Sequence, residues 1–174
     1  MNLTYAETID ADPPITIEIY TDPDPEAPDN TESDIFIITT RNRHFELAHE
    51  GFTIDSAADP DVHMEYDVFK VYAYIHSGVQ LSLTPFSCPW DSGPIGYLFA
   101  RKGDAASPES FIKAWNDFLS GNVYGFVVES GGVQIDSCWG FYSDYNTSGC
   151  LSEARASAAR ELASRAACAQ LTTT

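Results

Sequence analysis

Three short words in this sequence carry residue types capable of chemistry. They are His76-Ser77-Gly78, then Pro85-Phe86-Ser87-Cys88-Pro89-Trp90-Asp91-Ser92-Gly93, and Asp136-Ser137-Cys138-Trp139-Gly140-Phe141-Tyr142. A thiol enzyme needs a cysteine whose pKa is lowered by a nearby histidine, with a third group orienting that histidine. Cys88 or Cys138 with His76 and Asp91 supplies the types, but no spacing in the chain ties them together. The same residues also read as scaffold: Cys and Trp fill a core, Asp91 caps a turn and Gly93 permits a backbone bend. The expectation is no catalytic residue and no enzyme.

Metal and cofactor chemistry find less support. His44, Glu46, His49 and Glu50 gather suitable donors, but the five-residue step between the histidines does not put both on one helical face. Cys88, Cys138, Cys150 and Cys168 are all far apart in sequence, without the close pair typical of structural zinc. Gly131-Gly132 reads as a hairpin turn rather than a phosphate loop. No metal and no cofactor is expected. Four unpaired thiols in a chain able to form its own core suit a reducing compartment, so a cytoplasmic location is expected. Residues 1–10 have neither a basic start nor an apolar stretch, and no run approaches the roughly 20 apolar residues of a membrane span.

Charge is the strongest signal. The 174 residues include 26 acidic and 9 basic side chains, a formal balance of −17. Residues 1–66 hold 16 acids against Arg41 and Arg43, whereas residues 67–174 hold 10 acids and 7 basic residues. Such a surface repels nucleic acid and membranes and attracts basic grooves, so the expected partner is a basic protein surface. Duplex DNA carries one charge per about 1.7 Å of axis, so the excess in residues 1–66 corresponds to roughly 24 Å, about 7 base pairs. The carboxylates expected to meet a partner are Glu18, Asp34, Asp55, Asp59, Asp61 and Glu65, on predicted strands or in the irregular stretch 41–66. Asp22, Asp24, Glu26 and Asp29 fall in the loop 21–33, which carries Pro23, Pro25 and Pro28 and is expected to be flexible.

The elements that must position these residues follow from periodicity. Strands are expected over 14–20, 34–40, 67–76, 79–84, 94–101, 122–129 and 133–142. In 67–76, Phe69, Val71, Ala73 and Ile75 alternate with Lys70, Tyr72, Tyr74 and His76, giving an apolar and a tyrosine-rich face. Tyr72, Tyr74 and His76, with Trp90 and Asp91, make a second candidate surface. A helix over 108–120 opens on Ser107-Pro108 and aligns Phe111, Trp115 and Phe118. An Ala-rich helix over 149–167 carries the stripe Leu151, Ala154, Ala158, Leu162 and Ala166. The resulting expectation is one α+β domain over 1–174, an acidic third (1–66) followed by an aromatic and Cys-rich core (67–169), in which two main helices pack on one face of an antiparallel sheet.

The words from His76 through Pro85–Gly93, Tyr124-Gly125-Phe126 and the 136–142 run resemble a family of small proteins carried by bacteriophages and plasmids. The resemblance implies a mobile-element context and brings no catalytic residue. An acidic intracellular product of a mobile element suggests an inhibitor that competes with DNA for a host DNA-binding nuclease or effector complex, of the anti-CRISPR or anti-restriction type. Two other readings are a non-enzymatic interaction module whose acidity serves solubility or a high-salt cytoplasm, and a cysteine-dependent enzyme.

Overall fold

The computed structural model describes residues 1–29, 34–40, 46–104 and 107–171. In chain order its elements are β1 (Asn2–Ile9), β2 (Ile15–Thr21), β3 (Ile35–Thr39), a 3-10 turn (Ile54–Ala58), α1 (Val62–Glu65), β4 (Tyr66–Ile75), β5 (Val79–Ser82), β6 (Ser92–Arg101), α2 (Pro108–Ser120), β7 (Val123–Ser130), β8 (Val133–Tyr142) and α3 (Cys150–Leu171). The fold is mixed α+β with antiparallel strand pairing. Among the described residues no helix is long and apolar enough to cross a membrane.

The strands expected to share one sheet lie in two, each of four strands, and the chain forms two compact units. Residues 1–26 and 121–174 make the first, residues 27–120 the second. Each long helix packs on one face of its own sheet. Alternation reveals strands but not partners: β2 pairs with β7 and β3 with β6, both across long stretches of chain.

The first unit has the order β1-β2-β7-β8, a meander into which the second unit is inserted between β2 and β7. Ile15, Ile17 and Ile19 of β2 are fully buried with Phe126 and Val128 against Cys150, Leu151, Ala154 and Ala158 of α3. Those alanines let the helix approach the sheet closely, and the buried stripe fades beyond Leu162, leaving Ala166 exposed. Strand β1 went unrecognised in the sequence because Glu7 interrupts its inward row of Tyr5 and Ile9. Arg155 of α3 accommodates that carboxylate, with Nε at 2.8 Å from Oε1 and a second nitrogen at 2.7 Å from Oε2.

In the second unit the order is β3-β6-β4-β5. Ile112 and Trp115 of α2 cover one face through Ile35, Ile37, Val71, Ala73, Leu81 and Leu98. Asn116 completes the docking as a backbone mimic: its Oδ1 accepts the Leu81 N–H at 2.7 Å and its Nδ2 donates to the Leu81 carbonyl at 2.9 Å. The opposite face holds Phe36, Ile38, Tyr66 and Phe99, packed under Phe52, Ile54, Ala57 and Val62. Covered on both faces, all five residues of β3 are buried.

Candidate partner-binding surface

Folding redistributes the charge that the sequence concentrates in its first third. The first unit holds 12 acidic and 3 basic residues and the second 14 and 6, balances of −9 and −8. The acidic third is divided between the units: it supplies β1 and β2 to one and β3 to the other. Glu18 belongs to the first unit, where it accepts a hydrogen bond from the Tyr20 hydroxyl at 2.6 Å. Asp34, Asp55, Asp59, Asp61 and Glu65 all belong to the second.

Those five are exposed and make an acidic ridge, Asp34 just before β3 and the other four along the 54–65 segment. The stretch that sequence left undecided is ordered over 46–65, because its apolar side chains have a face to cover. Phe52 meets Phe36 edge-on with ring centroids 4.7 Å apart, and Tyr66 and Phe99 each at 5.4 Å. His49 stacks on Phe36 at 3.8 Å. The backbone is tied at both ends: Thr39 N–H donates to the Leu47 carbonyl at 3.0 Å, and Lys102 N–H to the Glu65 carbonyl at 2.8 Å. Within the segment, Asp59 Oδ1 accepts the Asp61 N–H at 2.9 Å, and the Ser56 hydroxyl accepts the Thr53 N–H at 3.0 Å. With the aromatics turned inward, Asp55, Asp59, Asp61 and Glu65 are exposed.

The cations beside the ridge come from the end of β6. Arg101 lies 3.1 Å from Asp34 and 3.6 Å from Glu65, over the Tyr66 ring, and Lys102 lies 3.9 Å from Asp67. Among the described residues, Asp55, Asp59 and Asp61 have no ion pair.

The second candidate surface assembles at one corner of the same unit. His76 Nδ1 is 3.4 Å from Asp91 Oδ2, and the Cys88 thiol is 3.8 Å from the same oxygen. The carboxylate thus stands between thiol and imidazole. Tyr74 packs between His76 at 6.2 Å and Phe86 at 5.9 Å. Tyr72 lies beside it on β4, half-buried. Trp90 projects from the loop with 91% of its surface exposed.

Cys138, the other thiol in the sequence list, belongs to the first unit and packs against its core. Its neighbour Cys150 is fully buried, and burial pushes that thiol up to about 12. Of the metal-like donors, His44 lies outside the described residues, and His49 is engaged with Phe36. Among the described residues no three His, Cys, Asp or Glu side chains gather as a metal set.

A third feature escaped the sequence reading. The turn after β2 is pinned rather than flexible over 22–26: Asp22 N–H donates to the Val123 carbonyl at 2.8 Å, Gly140 N–H to Asp22 Oδ2 at 3.2 Å, and the Tyr142 hydroxyl to the Glu26 carbonyl at 2.6 Å. Between this turn and β8 opens a cleft of about 650 Å³ lined by Met1, Asp22, Pro23, Asp24, Glu26, Trp139, Gly140 and Tyr142. The signal that was available is the pairing of the words Tyr124-Gly125-Phe126 and Cys138-Trp139-Gly140. Gly125 leaves the space in which the Trp139 ring lies, since a Cβ there would sit 2.1 Å from Cε3, and Gly140 at φ +84° turns the strand.

The sequence matches no protein-family model, and neither a curated protein nor a solved structure matches it at a significant level.

Proposed function

We propose that this protein is a non-enzymatic acidic inhibitor of mobile-element origin that acts in the host cytoplasm by occupying the basic DNA-binding surface of a defence nuclease or effector complex, of the anti-CRISPR or anti-restriction type. The observation that supports it is the ridge: Asp55, Asp59, Asp61 and Glu65 are exposed on a backbone clamped to the sheet by Phe52, Ile54, Ala57 and Val62. Carboxylates already held in place lose little conformational entropy when a basic groove closes over them, whereas a disordered acidic tail must first be ordered. Opposite charge also accelerates encounter with such a groove. The mobile-element setting comes from the resemblance of the 76–93 and 124–142 words, and the cytoplasmic setting from the thiols.

The test is inhibition of a host DNA-binding defence complex by the wild type and by a variant with Asp55, Asp59 and Asp61 changed to Asn and Glu65 to Gln. Neutralising the ridge should weaken inhibition at least tenfold, and raising salt should weaken the wild type steeply while flattening the variant's response, because interface charges are screened over about 8 Å at physiological ionic strength. Equal inhibition by the two proteins would leave acidity as a solubility or high-salt adaptation.

A further inference from the structure

We propose that the cleft between the 22–26 turn and β8 is a receptor for the guanidinium group of an arginine presented by a protein segment. This does not rest on the ridge, which belongs to the other unit. The cleft combines what a guanidinium needs. Trp139 is an aromatic wall held in place by the gap at Gly125 and packed beside Tyr20 with centroids 6.4 Å apart. Tyr142 forms a further part of the lining, anchored through its hydroxyl to the Glu26 carbonyl at 2.6 Å. A delocalised planar cation stacks on such rings and still offers in-plane donors to carboxylates.

The acceptors are in position. Asp22 is fixed by the Gly140 N–H at 3.2 Å and the Asp24 N–H at 3.1 Å, and Asp24 and Glu26 are exposed on the same turn. Residues 1–26 and 121–149, which form the whole sheet of this unit and its turns, contain no Lys, Arg or His. The unit's three arginines are on α3 and paired elsewhere, Arg155 with Glu7, Arg160 with Asp136 and Arg165 with Glu161. The local negative field registers on Tyr142, whose ionisation is pushed up first by burial and then by Glu26 and Asp22. A void of about 650 Å³ exceeds one guanidinium and accommodates an arginine side chain with adjoining backbone. Arginine is favoured over lysine because a compact, strongly hydrated ammonium gains less from a flat ring and cannot bridge two carboxylates in one plane.

The experiment uses the full chain and a short peptide with one central arginine, alongside the same peptide carrying citrulline or lysine there, and free spermidine. Binding is read by calorimetry and by the indole N–H resonances, with Trp90 and Trp115 as internal controls. The arginine peptide should shift the Trp139 indole alone and bind at least tenfold more tightly than the citrulline peptide, with lysine between them and spermidine weaker than arginine. Trp139→Ala should abolish the interaction. The exposed pair Asp24→Asn and Glu26→Gln, whose side chains do not support the fold, should weaken it at least tenfold. Equal binding of the citrulline peptide, tighter binding of spermidine, an unmoved Trp139 resonance, or loss of peptide binding on neutralising the ridge would each overturn the assignment. Loss of inhibition by the ridge variant with peptide binding intact would concern the ridge alone.

Discussion

The two units carry nearly equal negative charge and support it in different ways. In the second, exposed carboxylates stand on a ridge whose underside is an aromatic cluster built from Phe36, Phe52, Tyr66 and Phe99. In the first, the acids of the 22–26 turn line a concave cleft walled by Trp139 and Tyr142. An open charged surface acts at a distance and is screened by salt, whereas a walled site adds close packing to charge. Net charge alone therefore does not distinguish the two units; what lies beneath or beside each carboxylate does.

The sharpest way to break the comparison is at the two glycines that hold close approaches. A Cβ at Gly96 would lie 2.0 Å from the Ile38 carbonyl oxygen and 2.8 Å from Thr39 Cα, backbone atoms that cannot yield without separating β3 from β6. Gly96→Ala should destabilise by about 3 kcal/mol and loosen the ridge with it. Gly125→Ala should be milder, about 1–2 kcal/mol, because its closest clashes are with the Trp139 ring, which can swing away, leaving the Cys138 carbonyl oxygen at 2.8 Å to give by a few tenths of an ångström; it should erase the cleft. Urea unfolding of both variants, with the Trp139 indole resonance as a local reporter, measures the difference. A larger loss at Gly125 would mean that the tryptophan or the Cys138 carbonyl cannot move.

Next in size is Phe52→Ala, expected to cost about 1–3 kcal/mol because this ring is only half-buried. Amide exchange should rise across 54–65 while the β4–β6 pairing stays protected, and the formal charge is unchanged. If exchange stays slow, the backbone ties at Leu47 and Glu65 hold the ridge without the aromatics.

Thiol reactivity tests the packing of the first unit, which holds both Cys150 and Cys168. At pH 8 the buried Cys150, whose thiol is pushed up to about 12, remains protonated and should react with a thiol reagent only on unfolding. The exposed Cys168 should react first. Fast labelling of Cys150 in the native protein would contradict the packing of α3 on its sheet.

The smallest effect is electrostatic. Hydrogen bonding from Arg155 lowers the Glu7 pKa below the usual carboxylate range. A depressed folded value means that the pair stabilises the protein above the unfolded carboxylate pKa and ceases to do so as pH falls through the folded one. Arg155→Ala should lower the melting temperature slightly at pH 7 and leave it unchanged once both forms of Glu7 are protonated. A difference that persists at such low pH would assign Arg155 a packing role instead.

Local structure was legible in this sequence wherever one rule decided it. Ser107-Pro108 and Gly121 bound α2 as the cap and stop signals require, and the alternation in 67–76 and 133–142 marks β4 and β8 within a residue or so. What escaped was non-local. Alternating residues in β2 do not announce that its partner lies beyond an inserted unit, so one sheet was expected where two exist. Segment 46–65 lacks a period because single aromatic and aliphatic contacts, not a helix or strand face, fix it. Of the candidate site, Asp34, Asp55, Asp59, Asp61 and Glu65 belong to the second unit, while Glu18 is in the first. The cleft stayed hidden because Pro23 and Pro25 read as a free loop, and nothing local reveals that Gly140 and Tyr142 hold it down.

The central claim, that the ridge occupies a DNA-binding surface, is tested most directly by competition. A DNA-binding defence complex that this protein inhibits is titrated with labelled duplex at fixed inhibitor concentration, using the wild type, Phe52→Ala and the four-carboxylate variant. Mutually exclusive binding of duplex and wild type is expected, with Phe52→Ala losing affinity despite its unchanged charge and the neutralised ridge losing more. A ternary complex of target, duplex and this protein would contradict the account, as would wild-type affinity in the neutralised variant.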